Sequence, residues 1–114
     1  MTTAEVLRGA INIVQNGWTQ GTNARNSFFD PVPPDADSAC EWCLMGAVYR
    51  SSGLSAVAPY FDYEKSLSDS SRTFEVLEKV AEHPNLAEWN DSPGRKVEDV
   101  LALLKRALEQ EKSK

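Results

Sequence analysis

The chain holds little of what usually advertises chemistry. Histidine occurs once, at His83, and cysteine twice, at Cys40 and Cys43. Two cysteines three positions apart cannot build a disulfide framework, and one histidine leaves a zinc site short of ligands. No long hydrophobic run is present. The longest, Cys43 to Tyr49, falls far short of the roughly 20 residues a membrane-spanning helix needs. The opening MTTAEVLRGAINIV lacks the basic region and cleavage site of a secretory signal, so the expectation is a cytoplasmic protein with no membrane partner. Basic charge is also scarce, with 12 lysines and arginines against 17 acids for a net charge of −5. A nucleic-acid binder needs a basic face to displace counterions, and that class is set aside. No phosphate-binding glycine loop and no nucleophile-and-base pattern occurs, so no catalytic residue, metal or cofactor is expected.

What remains has the composition of an ordinary globular domain, 114 residues with 41% hydrophobic and 25% charged. That length buries about two-thirds of the unfolded surface around one core. Hydrophobic periodicity predicts a mainly α single domain of four to five helices. The first opens at Thr2, with Glu5 three residues on as a capping box, and places Val6, Leu7, Ala10, Ile11 and Val14 inward before Gly17. The second is expected from Ser38, boxed with Glu41, to Gly53. Its apolar residues run most of the way round, which predicts the central helix. A third runs from Ser70 or Ser71 to about His83, with a short helix over 54–68 possible before it. The last spans about Val97 to Glu111, with Val97, Val100, Leu101, Leu104 and Leu108 on one stripe. The core is expected at Val6, Leu7, Ile11, Trp42, Leu44, Val48, Leu77, Val100, Leu101 and Leu104. Between the first two helices a segment of about 20 residues, WTQGTNARNSFFDPVPPDAD, reads as a long ordered loop or small hairpin, a class of segment that often carries function.

The stretch SACEWCLMGAVYR offers Cys40 and Cys43 at C-x-x-C spacing. A thioredoxin-like site would put that motif between a strand and a helix inside a βαβ unit, and none surrounds it. On one helix both thiols would share a face with Ala39, Leu44 and Ala47, so they read as core, since free cysteine packs as a small hydrophobe. Cys43→Ser would then be costly and Cys40→Ser mild. The turn WNDSPGR is the other place for chemistry. Pro93-Gly94 is a type II turn signature, and Asn90, Asp91 and Arg95 either knit the corner or offer polar groups to a ligand.

Three motifs, NGWTQGTNAR, EWCLMGAVYR and EWNDSPGRKVEDVLALLKRA, together resemble a family of small bacterial and phage proteins known only as a domain of unknown function. The resemblance covers nearly the whole chain and implies an autonomous domain with no activity to inherit. Only Cys43 of the two cysteines falls in that pattern. The pattern has threonine after PGR, where this chain has Lys96, a residue unable to accept the amide bonds a helix cap must satisfy.

The primary expectation is a small acidic non-enzymatic module that binds another protein, a phage or host regulator or inhibitor. Its binding residues are expected where two tryptophan loops meet, at Trp18, Gln20, Asn23 and Arg25 from one and Trp89, Asn90, Asp91 and Arg95 from the other. Glu75, Glu78 and Glu82, at helical spacing, form a second acidic candidate face. One alternative is a small-molecule binder using the same loops. The other is a metal- or redox-dependent protein acting through Cys40 and Cys43.

Overall fold

Helix α1 (Thr3–Asn16) begins where its cap was expected. Oγ1 of Thr2 accepts the amide of Glu5 at 3.1 Å, and the Glu5 carboxylate accepts the amide of Thr2 at 2.9 Å. Both bonds satisfy donors that a helix start leaves orphaned. The computed structural model describes residues 1–53 and 63–114, side chains of 63–67 apart. After α1 come β1 (Ala24–Arg25), β2 (Glu41–Trp42), α2 (Leu44–Ser51), α3 (Tyr63–Ala81), α4 (Leu86–Asp91) and α5 (Val97–Lys112). The fold is mainly helical, as expected. The hairpin reading of the first loop also holds, since β1 and β2 pair antiparallel with Ala24 opposite Trp42 and Arg25 opposite Glu41. The short helix expected over 54–68 falls largely on residues outside the described ones.

One core joins the helices. Val6, Leu7, Ala10 and Val14 of α1 meet Leu44, Ala47 and Val48 of α2, Leu77 of α3, and Val100, Leu103, Leu104 and Ala107 of α5. The radius of gyration, 13.2 Å, matches the roughly 13 Å of a domain this size. Helix α1 packs against α2, α3, α5 and β2. It takes the central place expected of α2, because α2 is only eight residues long. Ser38 does not cap it and Glu41 lies in a strand. The residues between them follow a proline-rich excursion whose carbonyls are held from outside: Pro34 accepts from Trp42 Nε1 at 2.9 Å and from Arg50 at 3.0 Å.

Helix α3 starts well before Ser70. Its buried face is partly polar, and each polar group among its described side chains has a partner: Ser70 meets Ser52 at 2.6 Å, Thr73 donates to the Asp69 carbonyl at 2.8 Å, and Asp69 pairs with Arg72 and the terminal ammonium. Hydrogen-bonded polar groups can be buried at modest cost. In α5 the buried residues are Val100, Leu103, Leu104 and Ala107, while Leu101 is half-buried, as is Ile11 of α1. Both correct the expected core list by a small rotation of each helix, and both still pack against the core.

Candidate functional site

The two tryptophan loops do meet, and a carboxamide joins them. Asn90 lies in the last turn of α4 with no exposed surface. Its Oδ1 accepts from the Trp18 indole at 2.8 Å and from the Leu44 amide at 3.1 Å. Its Nδ2 donates to the Thr19 carbonyl at 3.2 Å and to Asp91 Oδ1 at 3.0 Å. Two donated and two accepted bonds exhaust the capacity of the group. The loop after α1, the N-terminus of α2 and the end of α4 are thereby tied at one point.

The neighbours extend the tie. Gln20 donates to the Asn90 carbonyl at 2.9 Å and to that of Ser92 at 3.3 Å, and the Gly21 amide donates to Asp91 Oδ1 at 3.0 Å. Arg95 turns away from Asp91: Nε donates to the Trp89 carbonyl at 2.8 Å and the guanidinium stacks 4.0 Å from the Trp89 ring centroid. The type II corner expected at Pro93-Gly94 is present, with Gly94 at φ 83° and the Arg95 amide donating to the Ser92 carbonyl at 3.0 Å. Thus Trp18, Gln20, Trp89, Asn90, Asp91 and Arg95 are brought together largely to satisfy one another. Asn23 stands at the edge, where it lines with Gly21, Thr22, Cys43, Ala87 and Asp91 a shallow pit of about 140 Å³. That is below the roughly 300 Å³ where small-molecule pockets begin. Arg25 lies apart, its Nε 2.6 Å from Glu41.

The cysteines do not share a helix face. Cys40 is exposed ahead of β2, and Cys43 is the N-cap of α2. Cys43 Sγ accepts the Gly46 amide at 3.3 Å and faces Asn23 Oδ1 at 3.7 Å. Burial pushes its thiol pKa up, against the opposing pull of the Gly46 and Met45 amides. A β-carbon at Gly46 would sit 1.8 Å from the Asn23 carbonyl oxygen, so glycine there lets the cap of α2 close on the loop backbone. Among the described residues, no group of three or more His, Cys, Asp or Glu gathers as a metal would require. No helix among them is long and apolar enough to cross a membrane. His83 Nδ1 accepts the Asn85 amide at 3.0 Å just ahead of α4, and with Glu75, Glu78, Lys79, Glu82 and Pro84 it lines an open groove.

A second feature escaped the sequence reading. Phe28 is 80% exposed and Phe29 70% exposed, at the tip of the excursion between β1 and β2. Asn26 braces them: Oδ1 accepts the amides of Phe28 at 2.9 Å and Asp30 at 3.1 Å, its carbonyl accepts from Phe29, and its amide donates to Asp30. Phe29 holds φ 66°, a left-handed conformation rare for an aromatic residue. The Arg25 guanidinium covers one ring face, 5.0 Å from the Phe29 centroid. The signal in the sequence was paired aromatics between turn formers in NSFFDP, which hydropathy alone reads as core. No curated protein and no solved structure matches the chain. Residues 1–110 match a family of unknown function, DUF6197, and with nearly the whole of its length so covered the chain belongs to that family.

Proposed function

We propose that the protein is a non-enzymatic interaction module whose contact surface is the lobe carrying Phe28 and Phe29. The observation that carries this reading is the exposure of both rings on a loop held rigid from within. Aromatic side chains dominate binding hot spots, and a pre-ordered loop loses little entropy on docking. Phe28 adds nothing to the core, and Phe29 sits in a conformation that favours glycine or asparagine, so fold stability does not explain either residue. The Asn90 junction supports the same reading from the other side, because its polar groups are engaged with one another and hold the scaffold. The lobe thus replaces the tryptophan loops as the candidate contact surface. In this reading the module acts in a bacterial or phage setting as a cytoplasmic regulator or inhibitor of another protein.

The test is affinity capture from the source cell with the parent chain and with a Phe28→Ser/Phe29→Asn double variant. Asparagine tolerates the left-handed backbone, so the variant keeps the fold. Partners retained by the parent and lost by the variant support the reading. An identical set from both overturns it.

A further inference from the structure

We infer that the pit beside the Asn90 junction binds a primary ammonium group, carried either by a lysine side chain or by a free small amine. The site is separate from the aromatic lobe and stands without it. Three segments form the pit: Gly21, Thr22 and Asn23 of the loop after α1, Cys43 at the cap of α2, and Ala87 and Asp91 of α4. The Asn90 carboxamide fixes these segments to one another, so the pit is formed before anything enters it. A preformed site loses little on binding. Four of its donors are spent within the protein: the Gly21 amide on Asp91 Oδ1 at 3.0 Å, the Cys43 amide on the Asn23 carbonyl at 3.1 Å, the Thr22 hydroxyl on the Ala24 carbonyl at 3.3 Å, and the Cys43 thiol on Asn23 Oδ1 at 3.7 Å. What remains is chiefly acceptor capacity. Asp91 Oδ2 has no partner among the described residues, and Asn23 Oδ1 and Thr22 Oγ1 keep free lone pairs. Among the described residues the lining holds one carboxylate and no lysine or arginine. The Asp91 charge also reaches the buried thiol: after burial itself, it adds to the rise of the Cys43 pKa.

This chemistry selects the ligand. An anion meets a carboxylate, and the amides of Leu44 and Gly46 at the start of α2 are already taken by Asn90 and Cys43, so the helix end offers it little. Calcium takes about six to eight oxygens, more than these side chains supply. A quaternary ammonium needs aromatic walls, and the pit is lined by none. Arginine presents a wide planar fork, whereas the acceptors of Asp91, Asn23 and Thr22 around a small pit match the compact N–H donors of a primary ammonium. Size agrees. The 140 Å³ holds about four or five groups at the roughly 30 Å³ of a water molecule, enough for the nitrogen and a short methylene run.

Ethylammonium and Nα-acetyl-lysine methylamide serve as probes. The controls are the same lysine derivative acetylated at Nε, which is neutral, and tetramethylammonium and potassium, cations without N–H donors. Titrated into the isotope-labelled full chain at constant ionic strength, the primary ammonium probes should shift the amides of Gly21, Asn23 and Cys43 saturably, and the controls should not. Asp91→Asn keeps an oxygen for the Gly21 and Asn90 donors and should weaken binding about tenfold. Ala87→Leu places a good helix former at an exposed position of the rim and should block entry with Asp91 intact. Tighter binding of the lysine derivative assigns the site to a partner's lysine, and equal or tighter binding of ethylammonium assigns it to a free amine; either supports the inference. Equal shifts from potassium, tetramethylammonium or the acetylated derivative overturn it. Binding unchanged in either variant, or no saturable shift with either primary ammonium, overturns it as well.

Discussion

The Trp18 indole N–H and the Asn90 carboxamide oxygen meet at 2.8 Å across 72 positions of sequence. The same oxygen takes the Leu44 amide, so Asn90 serves three segments at a site closed to water. Removing it orphans buried donors and acceptors, each worth about 1–3 kcal/mol when unsatisfied. Asn90→Ala is expected to destabilise by about 2–4 kcal/mol, read from urea midpoints at unchanged slope. A loss below about 1 kcal/mol would show that water replaces the group.

Helix α5 starts at Lys96, which offers no side-chain cap, while Asp99 already accepts the Lys96 amide at 3.0 Å. Half of a capping box is thus in place. Lys96→Thr completes it and removes a cation from the positive end of the helix dipole. A gain of about 0.5–2 kcal/mol is expected, visible as a raised melting midpoint.

Phe29 is held left-handed, a backbone costing about 1–2 kcal/mol outside glycine and asparagine. Its stacking with Arg25 at an exposed site returns about 0.5–1 kcal/mol. Phe29→Asn should therefore stabilise by up to about 1 kcal/mol, measured by denaturant, even as it removes the proposed contact. Lost stability would mean that the ring does more for the fold than its exposure suggests.

The expectation that Cys43→Ser is costly reverses once Cys43 is seen as a cap. A serine hydroxyl can accept the Gly46 amide and donate to Asn23, and serine is a preferred N-cap where cysteine is not. The change should fall within about 1 kcal/mol of neutral. In the native protein a thiol reagent should modify exposed Cys40 quickly. Cys43, buried and with its thiol pKa raised, should react only as the chain unfolds. Equal rates at both would contradict the geometry.

Glu5 supplies a pH dependence tied to a known geometry. The Thr2 amide and hydroxyl hold its carboxyl below the usual carboxylate range. A group with a lowered folded pKa contributes stability above its unfolded value and loses it as pH falls through the folded value. Glu5→Gln should therefore melt lower than the parent near neutrality, and the gap should close in acid. A gap constant down to acid would place the effect in packing.

Much of the scaffold was legible because local rules and tertiary packing agree there. The Thr2–Glu5 box, the inward face of α1 and the Pro93-Gly94 corner follow directly from short-range chemistry. The beginning of α2 did not, because Ser38 and Glu41 imitate a capping box while Trp42 is drawn into pairing with Ala24. Helix α3 was cut short for a different reason. Its inward Ser70 and Thr73 are satisfied by Ser52 and the Asp69 carbonyl, and hydropathy cannot register a polar face that tertiary hydrogen bonds make comfortable. The meeting of the tryptophan loops was foreseen from their matching polar residues. That the polar groups would close upon one another, leaving Phe28 and Phe29 as the outward feature, depends on distances no spacing rule contains.

The Asn90 tie also orders events as the chain is made. The loop at Trp18 and the cap of α2 emerge early, yet the group that completes them follows some 70 positions later. Helix α1 likewise waits for α5, against which it packs extensively. Such sequence-distant closure slows folding, because the entropy of a long loop must be surrendered before the contacts reward it. On the ribosome the Asn90 tie and the packing of α1 on α5 can form only once the last third of the chain has emerged.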